Sequence, residues 1–86
     1  MDREEQQEQM RAFLHEQLAN SGSPASVNVH RQDIETWGGQ NGLTPDEAIG
    51  LFESLEHTVW DGAKHNEEDG YGHLWRWVEI TDVRQR

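Results

Sequence analysis

The segment that decides the fold is LTPDEAIGLF, residues 43–52, because it specifies the start of a helix in full. Thr44 is a preferred N-cap, Pro45 suits the first helical position, and Glu47 stands where it can close a capping box. Apolar residues then follow at helical spacing: Ala48, Leu51, Phe52, Leu55 and Val59. The pattern predicts a helix over about residues 45–57.

A shorter helix and a turn come before it. Ile34 and Trp37 lie three residues apart, so residues 31–37 fit a helix with one apolar face. Gly38-Gly39 is expected to end this helix, and residues 40–42, Gln-Asn-Gly, have the composition of a turn. Residues 31–57 are therefore predicted to form two helices joined by a short turn.

The N-terminal part of the chain predicts one helix and one short strand. Asp2 can cap a helix over residues 2–19, in which four apolar residues share one face: Met10, Phe13, Leu14 and Leu18. Residues 20–24 have the composition of a loop. Residues 26–30 then alternate between polar and apolar side chains, which is typical of a short strand.

The C-terminal part predicts a hairpin. Val59 and Trp60 open a strand, and residues 61–72, with three glycines and an acidic run, predict an exposed loop. Residues 71–83 are rich in Trp, Val, Ile and Thr and predict the second strand. Alternation divides that strand into two faces, one with Leu74, Arg76, Val78 and Ile80 and the other with His73, Trp75, Trp77, Glu79 and Thr81.

The composition allows one small domain, residues 1–86, with a thin core. Leu, Ile, Val and Phe together supply 16 of the 86 residues, and four tryptophans add large apolar surfaces. Seventeen Asp and Glu against seven Lys and Arg give a net charge of -10. Because so small a core gives little net stability, we expect a second chain, a partner or salt to contribute.

Several classes of protein are excluded by what the sequence lacks. Without cysteine there is no disulfide framework, thiolate zinc site, iron–sulfur cluster or thiol nucleophile. No apolar run approaches the roughly 18 residues of a membrane span. The acidic N-terminus is unlike a secretory signal, so a cytoplasmic location is expected.

The sequence offers no clear pattern of catalytic or metal-binding residues. No nucleophile stands beside a base and an orienting group, so an enzyme is not expected. His57, Asp61 and His65 are spaced four residues apart and would align three ligands on a continuous helix. Gly62 and the strand signal at residues 59–60 argue against such a helix. We expect neither a metal nor another cofactor.

The order of the predicted elements is helix, strand, helix, turn, helix, strand, loop, strand. This order resembles the winged helix-turn-helix superfamily over about residues 8–83. The resemblance implies an α+β domain with three helices and a small antiparallel sheet. Its parts would be an N-terminal helix at 2–19, a helix-turn-helix at 31–57 and a wing hairpin at 58–83. The recognition helix would span residues 44–57, and the wing tip residues 61–72.

The function that this resemblance implies is that of a DNA-binding transcriptional regulator. The candidate DNA contacts are the polar and basic residues along one edge: Arg31, Gln40, Asn41, Thr44, Ser54, Lys64 and Arg76. Two half-sites on DNA need two recognition helices, so we expect a homodimer. The candidate interface residues are the apolar stripe of the first helix and two tryptophans: Met10, Phe13, Leu14, Leu18, Trp75 and Trp77.

Charge favours a second function. Residues 44–72 contain eight carboxylates and one lysine, a combination that repels DNA phosphates. The alternative is an acidic winged-helix module that binds a protein and not DNA, as an adaptor, a subunit of nucleic-acid machinery or a virus-encoded mimic of DNA charge. For Trp75 and Trp77, core packing or a protein interface is favoured over base stacking, since few basic residues are near them.

The kind of charge also carries information. The chain has one lysine, Lys64, against six arginines, and its carboxylates outnumber its basic residues by more than two to one. This composition resembles that of proteins from salt-accumulating haloarchaea, and it equally fits an acidic protein from any high-GC organism. At molar salt the Debye length falls to about 3 Å, which would screen much of the repulsion from DNA.

Overall fold

The computed structural model describes residues 2–22, 26–66 and 75–84. The elements described, in chain order, are α1 (Arg3–Ala19), β1 (Val27–His30), α2 (Arg31–Gln40), α3 (Pro45–Ser54), β2 (Trp60–His65) and β3 (Trp77–Val83). Strand β3 lies in the centre and pairs antiparallel with both β1 and β2. The fold is α+β, with three helices and a three-stranded antiparallel sheet, as predicted, and it is consistent with a winged-helix-like topology.

One apolar cluster holds these elements together, and every helix and strand contributes to it. Its centre is Trp60, which is fully buried and stacks on Phe52 with 4.3 Å between the ring centroids. The Trp60 Nε1–H donates to the Phe52 carbonyl oxygen at 3.1 Å, so the indole is buried without an unmet hydrogen bond. The remaining buried members are Met10, Leu14, Val29, Ile34, Trp37, Ala48, Ile49, Leu51, Leu55, Val59, Trp75, Val78, Ile80 and Val83.

Two helix starts have the caps that the sequence predicts. Thr44 Oγ1 accepts a hydrogen bond from the Glu47 backbone N–H at 3.1 Å, and Glu47 Oε1 accepts one from the Thr44 N–H at 2.9 Å. Asp2 accepts from the Glu5 N–H at 2.9 Å at the start of α1. Each contact satisfies a backbone donor that has no partner within the helix.

The predicted C-terminal ends of α2 and α3 are both wrong. Helix α2 continues through Gly38-Gly39 to Gln40, because Gly38 is a packing residue: a Cβ there would overlap the Cβ of Ala48 on α3. Helix α3 ends at Ser54 and not at residue 57. After it, His57 takes a left-handed conformation with φ 67°, and its N–H donates to the Trp60 carbonyl oxygen at 2.8 Å.

The predicted loop that starts at Asp61 is wrong over its first part, since β2 runs on to His65. Gly62 looks like a loop residue in the sequence, but it lies at a β-bulge between Asp61 and Gly62. A Cβ at this position would overlap the carbonyl oxygen of Glu79 on β3. The acidic run at 67–69 and the predicted strand residues 71–74 lie outside the described residues.

The two tryptophans of the last strand do not share a face, contrary to the prediction. Strand β3 begins at Trp77, so the alternation that governs β3 does not extend to Trp75. Trp75 is only 8% exposed and lies 5.5 Å from Phe52, between ring centroids. Trp77 lies on the opposite face of the sheet, where it stacks on His65.

Candidate interaction site

The exposed side of α3 is acidic because the apolar residues of the helix all turn inward. Ala48, Ile49, Leu51 and Phe52 are buried, which leaves the carboxylates outside. Three carboxylates of the helix and one from the turn that follows it form what we call the α3 acidic surface: Asp46, Glu47, Glu53 and Glu56. Asp46 and Glu47 are exposed, and Glu53 and Glu56 are half-buried. This is the position of the recognition helix in the winged-helix resemblance.

The single lysine of the chain lies beside this surface and is bound to it. Lys64 Nζ on β2 is 2.5 Å from Glu53 Oε2 and 2.9 Å from Glu56 Oε2. The other oxygen of Glu53 accepts a hydrogen bond from the Trp75 Nε1–H at 2.8 Å. The Arg31 guanidinium carbon stands 4.9 Å from the centroid of the Trp75 ring, within the range of a cation–π contact. Strand, helix and loop are thereby joined by one polar network.

The network keeps its acid and its base charged. Burial alone would raise the pKa of Glu53, but the hydrogen bonds from Lys64 and Trp75 and the charges of Lys64 and Arg31 outweigh it and lower that pKa. Burial alone would lower the pKa of Lys64, and its contacts with Glu53 and Glu56 reverse the direction and raise it. The ion pair is therefore formed over a wide range of pH on both sides of neutrality.

A second polar cluster lies where the chain leaves β3. Arg84 donates to the His57 carbonyl oxygen at 2.7 Å and to the carboxylate of Asp61. Its backbone N–H bonds to the Val59 carbonyl oxygen, and its own carbonyl oxygen accepts from Arg11 on α1. The hydrogen bond with His57 is the main cause that lowers the pKa of Asp61; burial opposes it, and Arg84 lowers the pKa further.

The residues predicted to contact DNA are largely engaged within the domain. The Thr44 hydroxyl caps α3, and Asn41 Nδ2 donates to the Trp37 carbonyl oxygen at 2.8 Å. The Ser54 hydroxyl donates to the Leu51 carbonyl oxygen at 2.7 Å. Lys64 is bound as described above.

The three remaining candidates are spread over different elements. Arg31, at the start of α2, is 3.9 Å from a carboxylate oxygen of Glu35 as well as near Trp75. Gln40 is exposed at the end of α2, and Arg76 is exposed just before β3. Taken together, the seven candidates do not form a basic patch, since two of their three cations, Arg31 and Lys64, face carboxylates.

The residues predicted to form a dimer interface divide into two groups. Met10, Leu14 and Trp75 are buried in the core of their own domain, so they are not available to a second chain while the domain is folded. The other three are Phe13 and Leu18, partly buried against that core, and Trp77 on the outer side of the sheet. Phe13 packs against Trp37, with ring centroids 5.7 Å apart, at a shallow cleft between α1 and α2.

The described parts of the chain contain neither a metal-binding cluster nor a membrane-spanning helix. Among these residues, no group of three or more His, Asp or Glu side chains could hold a metal ion. No described helix has the length and apolar character that a membrane span requires.

The chain matches no protein-family model, no curated protein and no solved structure.

Proposed function

We propose that the chain is a non-enzymatic winged-helix-like module that binds a basic protein surface through the α3 acidic surface. The observation that carries the proposal is the state of Lys64. This one lysine lies beside the helix that would face DNA, and it is already held by Glu53 and Glu56. Lys64 is therefore engaged and not free to neutralise phosphates, and the exposed Asp46 and Glu47 leave the start of the helix negatively charged.

The negative charge at the start of α3 favours a basic protein over DNA as the partner. Affinity for DNA comes in large part from Lys and Arg that neutralise phosphates and release counterions. Here the exposed Asp46 and Glu47 stand at the start of α3, where they would meet the phosphates first. A protein surface rich in Lys and Arg is the complementary partner, because charge of opposite sign speeds encounter and excludes wrong partners.

Direct DNA binding is the second candidate, and the topology favours it. The order β1-β3-β2 and the pair α2–α3 are consistent with a winged-helix-like fold, the resemblance on which the expectation of DNA binding rests. Exposed Gln40 stands at the turn before α3, and its amide can bond to base edges. This candidate requires concentrated salt, in which the repulsion between carboxylates and phosphates is screened within about 3 Å.

Zero-length carbodiimide coupling tests the first candidate, because it joins carboxylates to lysines that already touch them. The protein is coupled in an extract of its source cells, and the linked peptides are identified by mass spectrometry. The expected links join Asp46 or Glu47 to lysines of one partner. Asp46→Asn should reduce the yield, whereas the matched control Glu16→Gln, an exposed carboxylate on α1, should not. Links spread evenly over the chain, or equal yields for both variants, would contradict the proposal.

A further inference from the structure

The face of the sheet that points away from the core carries an aromatic and a carboxylate side by side. Val29, Val78 and Ile80 belong to the buried face, so their neighbours along β1 and β3 lie on the other side. The pairing register places six residues on what we call the outer sheet face: Asn28, His30, Ala63, His65, Trp77 and Glu79. Trp77 is opposite His30 and His65, and Glu79 is opposite Asn28 and Ala63.

Trp77 is held in place on this face. Its ring stacks on His65 with centroids 4.2 Å apart and an interplanar angle of 20°. The indole is half-buried, so part of it remains in contact with solvent. An aromatic side chain fixed by a neighbouring ring loses little conformational entropy when a ligand stacks on it.

Glu79 is poorly paired by comparison with the other half-buried carboxylates. Among the residues that the structure describes, its contact is a hydrogen bond from the Ser26 hydroxyl at 3.5 Å, the upper limit of such a bond. On β2 the opposing side chain is the methyl group of Ala63, which is exposed and leaves the carboxylate uncovered on that side. On β1 the opposing Asn28 is exposed as well.

We propose that the outer sheet face binds an arginine side chain of a partner protein. A guanidinium is planar and weakly hydrated, so it can stack on the Trp77 indole while its N–H groups donate to Glu79. Residues two apart on a strand, such as Trp77 and Glu79, are separated by about 6.6 Å. A guanidinium that lies within about 6 Å of the indole centroid can therefore also reach the Glu79 carboxylate. The exposed Asn28 amide oxygen is a further acceptor at the same level of the sheet.

The charge on this face selects arginine over other occupants. Aromatic platforms that stack nucleic-acid bases are set in grooves rich in Lys and Arg. The outer sheet face has the histidines His30 and His65 opposite Trp77, but neither Lys nor Arg is among its six residues, and Glu79 lies two residues from Trp77 on β3. A lysine ammonium can pair with Glu79, but it is strongly hydrated and has no plane to lay on the indole. This site lies on a different element from the α3 acidic surface, so it goes beyond the proposed function, and each can fail alone.

NMR titration of the folded chain tests the site directly. The ¹⁵N-labelled protein is titrated with the end-blocked peptide Gly-Arg-Gly-Arg-Gly and, separately, with Gly-Lys-Gly-Lys-Gly. The indole N–H signal of Trp77, assigned by its loss in Trp77→Phe, should shift and saturate with the arginine peptide. Glu79→Gln should weaken that binding about tenfold, as expected for the loss of one charge-assisted pair. The control Glu16→Gln, with the same change in net charge, should leave it unchanged.

Four results would overturn the proposal. One is the absence of any shift at the Trp77 indole at millimolar peptide, and another is equal binding of Glu79→Gln and the parent chain. Equal affinity for the lysine peptide would show a general attraction for cations. A larger shift with oligothymidylate than with the arginine peptide would identify the face as a platform for bases.

Discussion

The two sides of the molecule use acidic and aromatic residues in opposite ways. Beside α3, Glu53 is bound by Lys64 and by Trp75, and the indole of Trp75 packs against Phe52 in the core. On the outer sheet face, Glu79 accepts a long hydrogen bond from Ser26, and Trp77 stacks on the half-buried His65. Glu53 and Trp75 already interact in the isolated chain and stabilise the fold, so the part of the α3 acidic surface that is open to a partner is the exposed pair Asp46 and Glu47. Glu79 and Trp77 remain available to a ligand.

The largest expected effect separates a core tryptophan from a surface one. Trp60→Ala removes the ring at the centre of the core and should lower the free energy of unfolding by about 3–5 kcal/mol. Trp77→Ala should lower it by about 1 kcal/mol or less, since the ring is half-buried outside the core. Urea denaturation followed by circular dichroism gives both values. Similar losses of unfolding free energy for the two variants would contradict the assignment of Trp60 to the core and of Trp77 to the surface.

The next effect concerns the close approach of β2 to β3. Gly62→Ala places a Cβ against the Glu79 carbonyl oxygen and should cost about 1–3 kcal/mol of stability through forced backbone shifts. Gly50→Ala is the matched control. Its Cβ meets no atom within 4 Å, and alanine should stabilise the exposed position in α3 by about 0.5–1 kcal/mol. A neutral Gly62→Ala variant would contradict the bulged register.

A smaller effect should follow the ion pair beside α3. Glu53→Gln should lower the stability by about 1 kcal/mol at neutral pH, a value reduced for the partial exposure of both side chains. The pKa of Glu53 is lowered by folding, so its contribution is present above the unfolded value and is lost as the pH falls through the folded pKa. The pKa of Lys64 is raised, so the contribution is also lost as the pH rises through that pKa.

Urea denaturation of the parent and of Glu53→Gln across the pH range checks this window. The difference in stability between them should be greatest near neutrality and should shrink in acid and in strong base. A difference that stays constant down to about pH 2, where carboxylates are protonated, would mean that the ion pair is not its source.

The smallest effect expected is that of salt on the whole chain. Seventeen carboxylates repel one another in the folded state, and this repulsion fades as the Debye length shrinks from about 10 Å at 0.1 M to 3 Å at 1 M. Salt also weakens the ion pairs, but the loss of repulsion between carboxylates should be the larger effect. The melting temperature should therefore rise by a few degrees, corresponding to about 0.5 kcal/mol. A melting temperature that stays flat or falls with potassium chloride would contradict this.

The sequence predicts those parts of the fold that local chemistry controls. The N-cap of α1, the capping box of α3 and the apolar stripes of both helices act within a few residues, and the starts of both helices agree with the structure. The glycines mislead because they serve contacts between distant segments: Gly38 faces Ala48, and Gly62 faces the backbone of Glu79. Their meaning depends on a neighbour in space, which local patterns do not contain.

The sequence predicts the negative charge of the candidate interaction site but not the contacts between its residues. The excess of carboxylates over residues 44–72 indicates an acidic surface, and α3 presents one. The pairing of Lys64 with Glu53 and Glu56 depends on how β2 lies against α3. Alternation predicts that Trp75 and Trp77 share a face, and they do not, because β3 begins at Trp77. The pairing of Trp77 with His65 and of Glu79 with Ala63 follows from the register, which only the folded sheet defines.

Titration with duplex DNA tests the central claim, that the α3 acidic surface serves a basic protein and not DNA. A fluorescently labelled duplex is followed by anisotropy at about 0.1 M and about 2 M potassium chloride. The Debye length is about 10 Å at the lower concentration and below about 3 Å at the higher one, so the repulsion between protein and DNA is strong in the first and largely screened in the second. The account predicts no binding at micromolar protein in either salt. Saturable binding at the higher concentration, weakened by Gln40→Ala and unaffected by the control Glu16→Gln, would contradict it and establish the helix pair as a DNA reader.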